Sequence, residues 1–129
     1  MKLLLDTHGF IFYIDRPDAL PPPARAAIED PANDLFLSLA SPWEMQIKST
    51  LGKLKLTKPA ADLVQAELRR GAIQLLPITL QHIEALSRLP NHHRDPFDRM
   101  LVAQAIHEGL TIVTADQSIK KYAAPVLWE

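Results

Sequence analysis

A chain of 129 residues without a single cysteine has room for one core, and neither a disulfide framework nor a thiolate metal site can hold it together. With 47% hydrophobic and 22% charged residues it has the balance of an ordinary globular protein, and a formal net charge of −1 excludes the global basic field of many nucleic-acid binders. The opening Met1-Lys2-Leu3-Leu4-Leu5 breaks off at Asp6-Thr7-His8, too early for a secretion signal, and nothing later reaches membrane-spanning length. A cytoplasmic protein with one domain over 1–129 is expected.

Leu3-Leu4-Leu5 reads as the first buried strand. Leu35 to Leu37, Ile73 to Leu76, Thr111 to Val113 and Val126 to Trp128 read as four more. None alternates between apolar and polar residues, which is the pattern of strands covered on both faces in a parallel sheet. Helical periodicity predicts helices near 9–15, 22–30, 42–50, 60–71, 79–88 and 97–108, with a short one after Asp116. Pro21-Pro22-Pro23 is a stiff entry to the second helix, and Gly109 suits the end of the sixth. Strands alternating with helices define an α/β class, a three-layer sandwich with a mainly parallel twisted sheet of about five strands flanked by helices.

Ligands of such sheets gather at the carboxyl ends of the strands, where strand order reverses. Asp6 ends the first strand, Ser38 to Glu44 follow the second, and Thr114-Ala115-Asp116 end the fourth. Asp98 opens the helix that leads into the fourth, so it starts at the same edge. Each acid also has a local explanation. Ser41-Pro42-Trp43-Glu44 has the spacing of a capping box with Ser41 as N-cap and Pro42 at the first helical position. Asp95-Pro96-Phe97-Asp98 repeats that scheme, and Asp116 can cap the helix after it. Capping alone leaves something over. Asp98 falls on the apolar stripe of Leu101, Val102 and Ala105, Glu44 lines up with Ile47 and Leu51, and Asp6 begins no evident helix that needs it. Two carboxylates about 4 Å apart repel by roughly 4 kcal/mol at an effective dielectric near 20. No lysine or arginine stands at a strand end to offset them. A bound hard cation, Mg2+ or Mn2+, is the expected answer for an all-oxygen set.

The segments Leu5-Asp6-Thr7, Ser41-Pro42-Trp43-Glu44 with Ile47-Lys48, His93-Arg94-Asp95-Pro96-Phe97-Asp98-Arg99 through Ala105, and Val113-Thr114-Ala115-Asp116 together resemble the PIN-domain nucleases, and among them the VapC-type toxins of toxin–antitoxin pairs. The resemblance implies a Mg2+- or Mn2+-dependent endoribonuclease with Asp6, Glu44, Asp98 and Asp116 as its catalytic and metal-binding acids. Thr114 matches a hydroxyl residue beside the last of them. It further implies a cognate antitoxin that covers the site, and a homodimer. Asp95 is assigned to capping.

Between Glu44 and Asp62 lie Lys48, Lys53, Lys55 and Lys58 and no acid. Lys48, Lys53, Lys55 and Arg99 are the candidates for RNA contact. His92 and His93 lack zinc spacing and read as loop residues, His8 can sit near the site, and Trp43 and Phe97 read as core. There is no glycine-rich phosphate loop. The rival readings are a non-catalytic binding module that keeps the fold and a signalling module phosphorylated on aspartate. The second lacks a lysine at a late strand end.

Overall fold

In a computed structural model describing residues 1–129, Leu3, Leu4 and Leu5 are wholly buried in the central strand β1 (Lys2–Leu5). The chain continues through α1 (Thr7–Asp15), α2 (Pro22–Glu29), β2 (Asp34–Ser38), α3 (Ala40–Thr50), α4 (Ala60–Arg69) and β3 (Gln74–Leu76). It ends with α5 (Leu80–Leu86), α6 (Pro96–Glu108), β4 (Thr111–Val113) and β5 (Val126–Leu127). The helix expected after Asp116 is only a 3-10 turn at Ile119–Lys121, and a second such turn spans Pro17–Ala19.

All strand pairings are parallel, in the order β3-β2-β1-β4-β5. Strand polarity explains the layers. Leu3 and Leu5 of β1 point to one face and pack with Phe10, Leu37, Met45 and Val64. Leu4 points to the other and packs with Leu101, Val102, Ala105 and Ile112. A strand buried on both sides needs apolar residues at every position, which accounts for the unbroken leucine run. The three-layer expectation therefore holds.

From β1 the chain winds outward through β2 to β3, then returns to the other side of β1 for β4 and β5. The reversal falls between β1 and β4, where Asp6 N–H donates to Val113 O at 3.1 Å and the two strand ends lie side by side. α6 ends at Gly109, whose φ of 71° is the left-handed conformation that glycine adopts without a side-chain clash.

Candidate functional site: an acid cleft at the sheet switch point

The ends of β1 and β4 and the starts of α3 and α6 converge on one cleft of about 320 Å³, lined by Asp6, His8, Phe12, Glu44, Lys48, Asp95, Asp98, Ala115, Asp116 and Trp128. All four predicted acids are thus brought together, with Asp95 beside them.

Asp6 is buried, and it does begin a helix: its carboxylate caps α1, accepting Gly9 N–H at 2.6 Å. Burial pushes its pKa up, against hydrogen bonds from Thr114 and Gly9 that stabilise the anion. Gly9 is required by contact. A Cβ there would stand 2.8 Å from Asp6 Oδ1 and 3.3 Å from Val113 O. Thr114, wholly buried, accepts Asp116 N–H on its hydroxyl at 3.0 Å and so links the first and fourth acids.

Glu44 is 2% exposed, but the capping box proposed for it does not form. The chain leaves β2 directly into helix, with Leu39 already helical at the cap position, so Ser41 lies inside α3. Ser38 Oγ accepts Ala40 N–H instead, at 3.0 Å. Thr7 Oγ1 donates to the Glu44 carboxylate at 2.7 Å and lies 3.0 Å from Ser41 Oγ, from which it can accept. Nor does Glu44 head a buried stripe through Ile47 and Leu51, since both are exposed and the buried face is Ala40, Ser41, Glu44 and Met45. Freed from capping, the Glu44 carboxylate faces the cleft. The expected lack of a basic partner is also corrected: Lys48, one helical turn on, forms an ion pair with Glu44. The Lys48 ammonium is therefore engaged at the acids rather than free on the surface.

Asp95 caps α6 as its spacing indicates, accepting Phe97 and Asp98 N–H at 2.8 and 3.1 Å. Asp98, in that first turn, faces the cleft. Burial, then the charges of Asp95 and Glu44, push its carboxyl up to about 7. Asp116 is more open. Its Oδ1 accepts Ser118 N–H at 2.7 Å, and such hydrogen bonds, with His93, hold its pKa low despite some desolvation.

His93, expected to be a plain loop residue, instead contacts the acids. Its Nε2 lies 3.0 Å from Asp98 Oδ2 and 3.1 Å from Asp116 Oδ2. Its Nδ1 accepts Asp95 N–H at 3.2 Å, which leaves the proton on Nε2 to be shared between the two acids. The loop from Pro90 to Asp95 has no periodicity, and its only sequence signal is a histidine two residues before the capping aspartate. Trp43, expected in the core, is 59% exposed and meets Phe97 edge-on at 5.1 Å. Lys53 and Lys55 are exposed. Lys53 lines a smaller cavity of about 240 Å³ that shares His8, Glu44 and Lys48 with the acid cleft. Arg99 is largely occupied, donating to Pro90 O and Tyr122 Oη, each at 3.1 Å.

The donor set fits a hard divalent cation. Five carboxylates meet there, burial above all pushes two of them, Asp6 and Asp98, toward neutrality, and Lys48 is the only side-chain cation ion-paired with the group. The His93, Asp98 and Asp116 donor atoms all lie within 4.8 Å of one another. Fold and cleft define an α/β protein built around a carboxylate cluster at the switch point of a parallel sheet.

The chain belongs to the PIN domain family, whose model matches residues 3–125. It is 36% identical to Ribonuclease VapC16 of Mycobacterium tuberculosis over 64 residues, a stretch covering 50% of this chain and 44% of that protein. Among solved structures it resembles VapBC2 from Rickettsia felis bound to a DNA fragment from their promoter, with a TM-score of 0.71 and 16% identity over 100% of both chains. It also resembles DNA-bound VapBC from Salmonella typhimurium, with a TM-score of 0.69 and 18% identity over 98% of this chain and 97% of that one. At these identities the structural likeness establishes the fold. No helix is long and apolar enough to cross a membrane.

Proposed function

We propose that this protein is a metal-dependent endoribonuclease, the VapC-type toxin of a toxin–antitoxin pair. The observation that carries the proposal is the convergence of Asp6, Glu44, Asp98 and Asp116 from four separate segments onto one cleft, at a cost in charge that an isolated protein gains nothing by bearing. A Mg2+ or Mn2+ ion held by these acids would lower the pKa of a bound water and neutralise charge on the phosphate. The remaining work falls to the chain. Gly9 N–H and Thr114 aim Asp6, Thr7 aims Glu44, and the Asp95 cap fixes the turn that presents Asp98. Lys48 and His93 hold the acids together and place N–H donors at the cleft, where a phosphate oxygen can accept them.

The similarity to a named ribonuclease supports the substrate class, and the VapBC neighbours support a protein partner. An antitoxin that silences the enzyme would cover the acid cleft with a basic side chain. A homodimer is supported by an apolar stripe on α3 made by Leu39, Trp43, Ile47 and Leu51, all exposed. Leu80 and Ile83 are exposed on α5, whose Leu86 shares a small apolar cavity with Trp43.

The direct test is a purified chain incubated with single-stranded RNA and Mg2+ or Mn2+. Internal cleavage is expected, with loss in EDTA and in Asp6→Asn. Equal cutting by parent and variant in every metal would refute the proposal. Gly9→Ala supplies a second test, because its added methyl must displace the Asp6 carboxylate or the Val113 carbonyl. Calorimetric Mn2+ affinity is expected to fall by at least about tenfold. Unchanged affinity would remove Asp6 from the metal site.

A further inference from the structure

His93 links the acid cleft to a second space. Its Nε2 contacts Asp98 and Asp116, and its ring also lines a separate cavity of about 790 Å³ with Asn91, His92, Arg94, Arg99 and Ser118. The two spaces differ sharply in chemistry. Five carboxylates line the acid cleft, whereas no carboxylate and no hydrophobic side chain lines this cavity.

The cavity is also preorganised. Arg99 donates to Pro90 O and to Tyr122 Oη, each at 3.1 Å, and that phenol oxygen accepts His92 N–H at 3.2 Å. The His92 ring stands edge-on to Tyr122 at 5.0 Å. Every partner of Arg99 is neutral, so its charge is uncompensated where it lines the cavity. Arg94 is exposed and forms no hydrogen bond or ion pair in the structure. Two guanidinium groups without a counter-anion thus face a space within the range of volumes that hold small ligands, about 300–1,000 Å³.

We propose that this cavity binds the nucleotide next to the cleaved phosphodiester, with its phosphate on Arg94 and in the field of Arg99. The proposal rests on the ribonuclease reading above and adds the path of the strand. Lys53 flanks the acid cleft through the cavity it shares with Lys48, and Arg94 flanks it through the cavity walled by His93. An RNA backbone crossing from Lys53 to Arg94 passes over the acids between them. Guanidinium groups suit this task because their planar fork meets a phosphate with two parallel N–H donors. Without metal the acids repel the strand, so this basic wall carries much of the attraction.

The test uses the parent chain in EDTA, where binding is read without cleavage. A fluorescent oligouridylate is titrated by anisotropy over a range of salt concentrations. Arg94→Ala is expected to fold as the parent does, since Arg94 has no partner to lose. It should weaken binding several-fold and reduce the log–log salt slope by about 0.7, the value for one phosphate contact on a single strand. Arg94→Glu should weaken it further, and Lys2→Ala, at the opposite, amino-terminal end of the strands, should not. A morpholino of the same sequence, with no backbone charge, should show no difference between parent and Arg94→Ala.

Unchanged affinity and slope in both Arg94 variants would overturn the inference. So would unchanged RNA binding combined with lost binding of a polyglutamate peptide, which would make the cavity a protein-docking site. If the parent cuts RNA but Arg94 proves silent, only this inference fails. If no RNA is bound or cut at all, the ribonuclease reading fails with it.

Discussion

Replacing Asp98 with asparagine is expected to reduce RNA cleavage by at least about a hundredfold while leaving the metal-free protein at pH 8 as stable as the parent, or more so. The two effects share one cause. Burial and the charges of Asp95 and Glu44 push the Asp98 carboxyl up to about 7, so at pH 8 the parent carries a carboxylate that the fold resists. Asparagine keeps the shape and the acceptor that receives the His93 Nε2 proton at 3.0 Å, and it removes the charge. What it gives up is an anionic oxygen for the cation, and even partners outside the ligand set typically cost 10–100-fold when removed. Urea midpoints at pH 8 in EDTA, measured beside cleavage rates in Mn2+, separate the outcomes. Full activity in Asp98→Asn would exclude Asp98 from the chemistry. A lower midpoint would show that the carboxylate stabilises the fold.

The second large effect is on stability as pH and metal vary together. Between the ordinary aspartate pKa of 3.8 and about 7, folded Asp98 retains a proton that the unfolded chain releases. The native state then binds more protons than the unfolded one, so stability falls as pH rises through that window. Asp6, also raised by burial, acts with the same sign. Asp116 is lowered, so its contribution is present above 3.8 and is lost only as pH falls below that value. The metal-free protein should therefore melt at a higher temperature at pH 5 than at pH 8. Millimolar Mg2+ or Mn2+ should reverse the trend at pH 8. A ligand at a hundred times its Kd adds about 2.7 kcal/mol, which at roughly 4 °C per kcal/mol for a chain this size is on the order of 10 °C. A flat pH profile together with no response to metal would argue against a cation site in the cleft.

Much of this site is legible in the sequence because its acids follow strands whose apolar runs are unambiguous. Asp95-Pro96 marks a helix start, and three residues later Asp98 must point where Leu101 and Val102 point. The Glu44–Lys48 pair was missed although it has i, i+4 spacing, because a neutralising base was sought only at the strand ends. The same local logic failed at Ser41, where cap chemistry was inferred from residue types although the chain has no loop between β2 and α3 in which to use it. It failed again along α3, where Ile47 and Leu51 have helical spacing and yet face outward. Periodicity shows that a helix has an apolar face, not whether the chain's own core covers it. His93 lay beyond reach for another reason. Its position depends on how an aperiodic loop folds back onto α6, fixed by Arg99 and Tyr122 from distant parts of the chain.

The two tryptophans end up in contrasting places, with a spectroscopic consequence. Trp128 lines the acid cleft and packs near Phe12 at 6.4 Å, while Trp43 stands mostly in solvent on α3. Emission from Trp128 is thus a built-in optical reporter of what enters the cleft, and emission from Trp43 reports on whatever covers the apolar stripe. Excitation of Trp43→Phe and Trp128→Phe proteins in turn would resolve occupancy of the cleft from occupancy of that face in one cuvette, with no label attached to the chain.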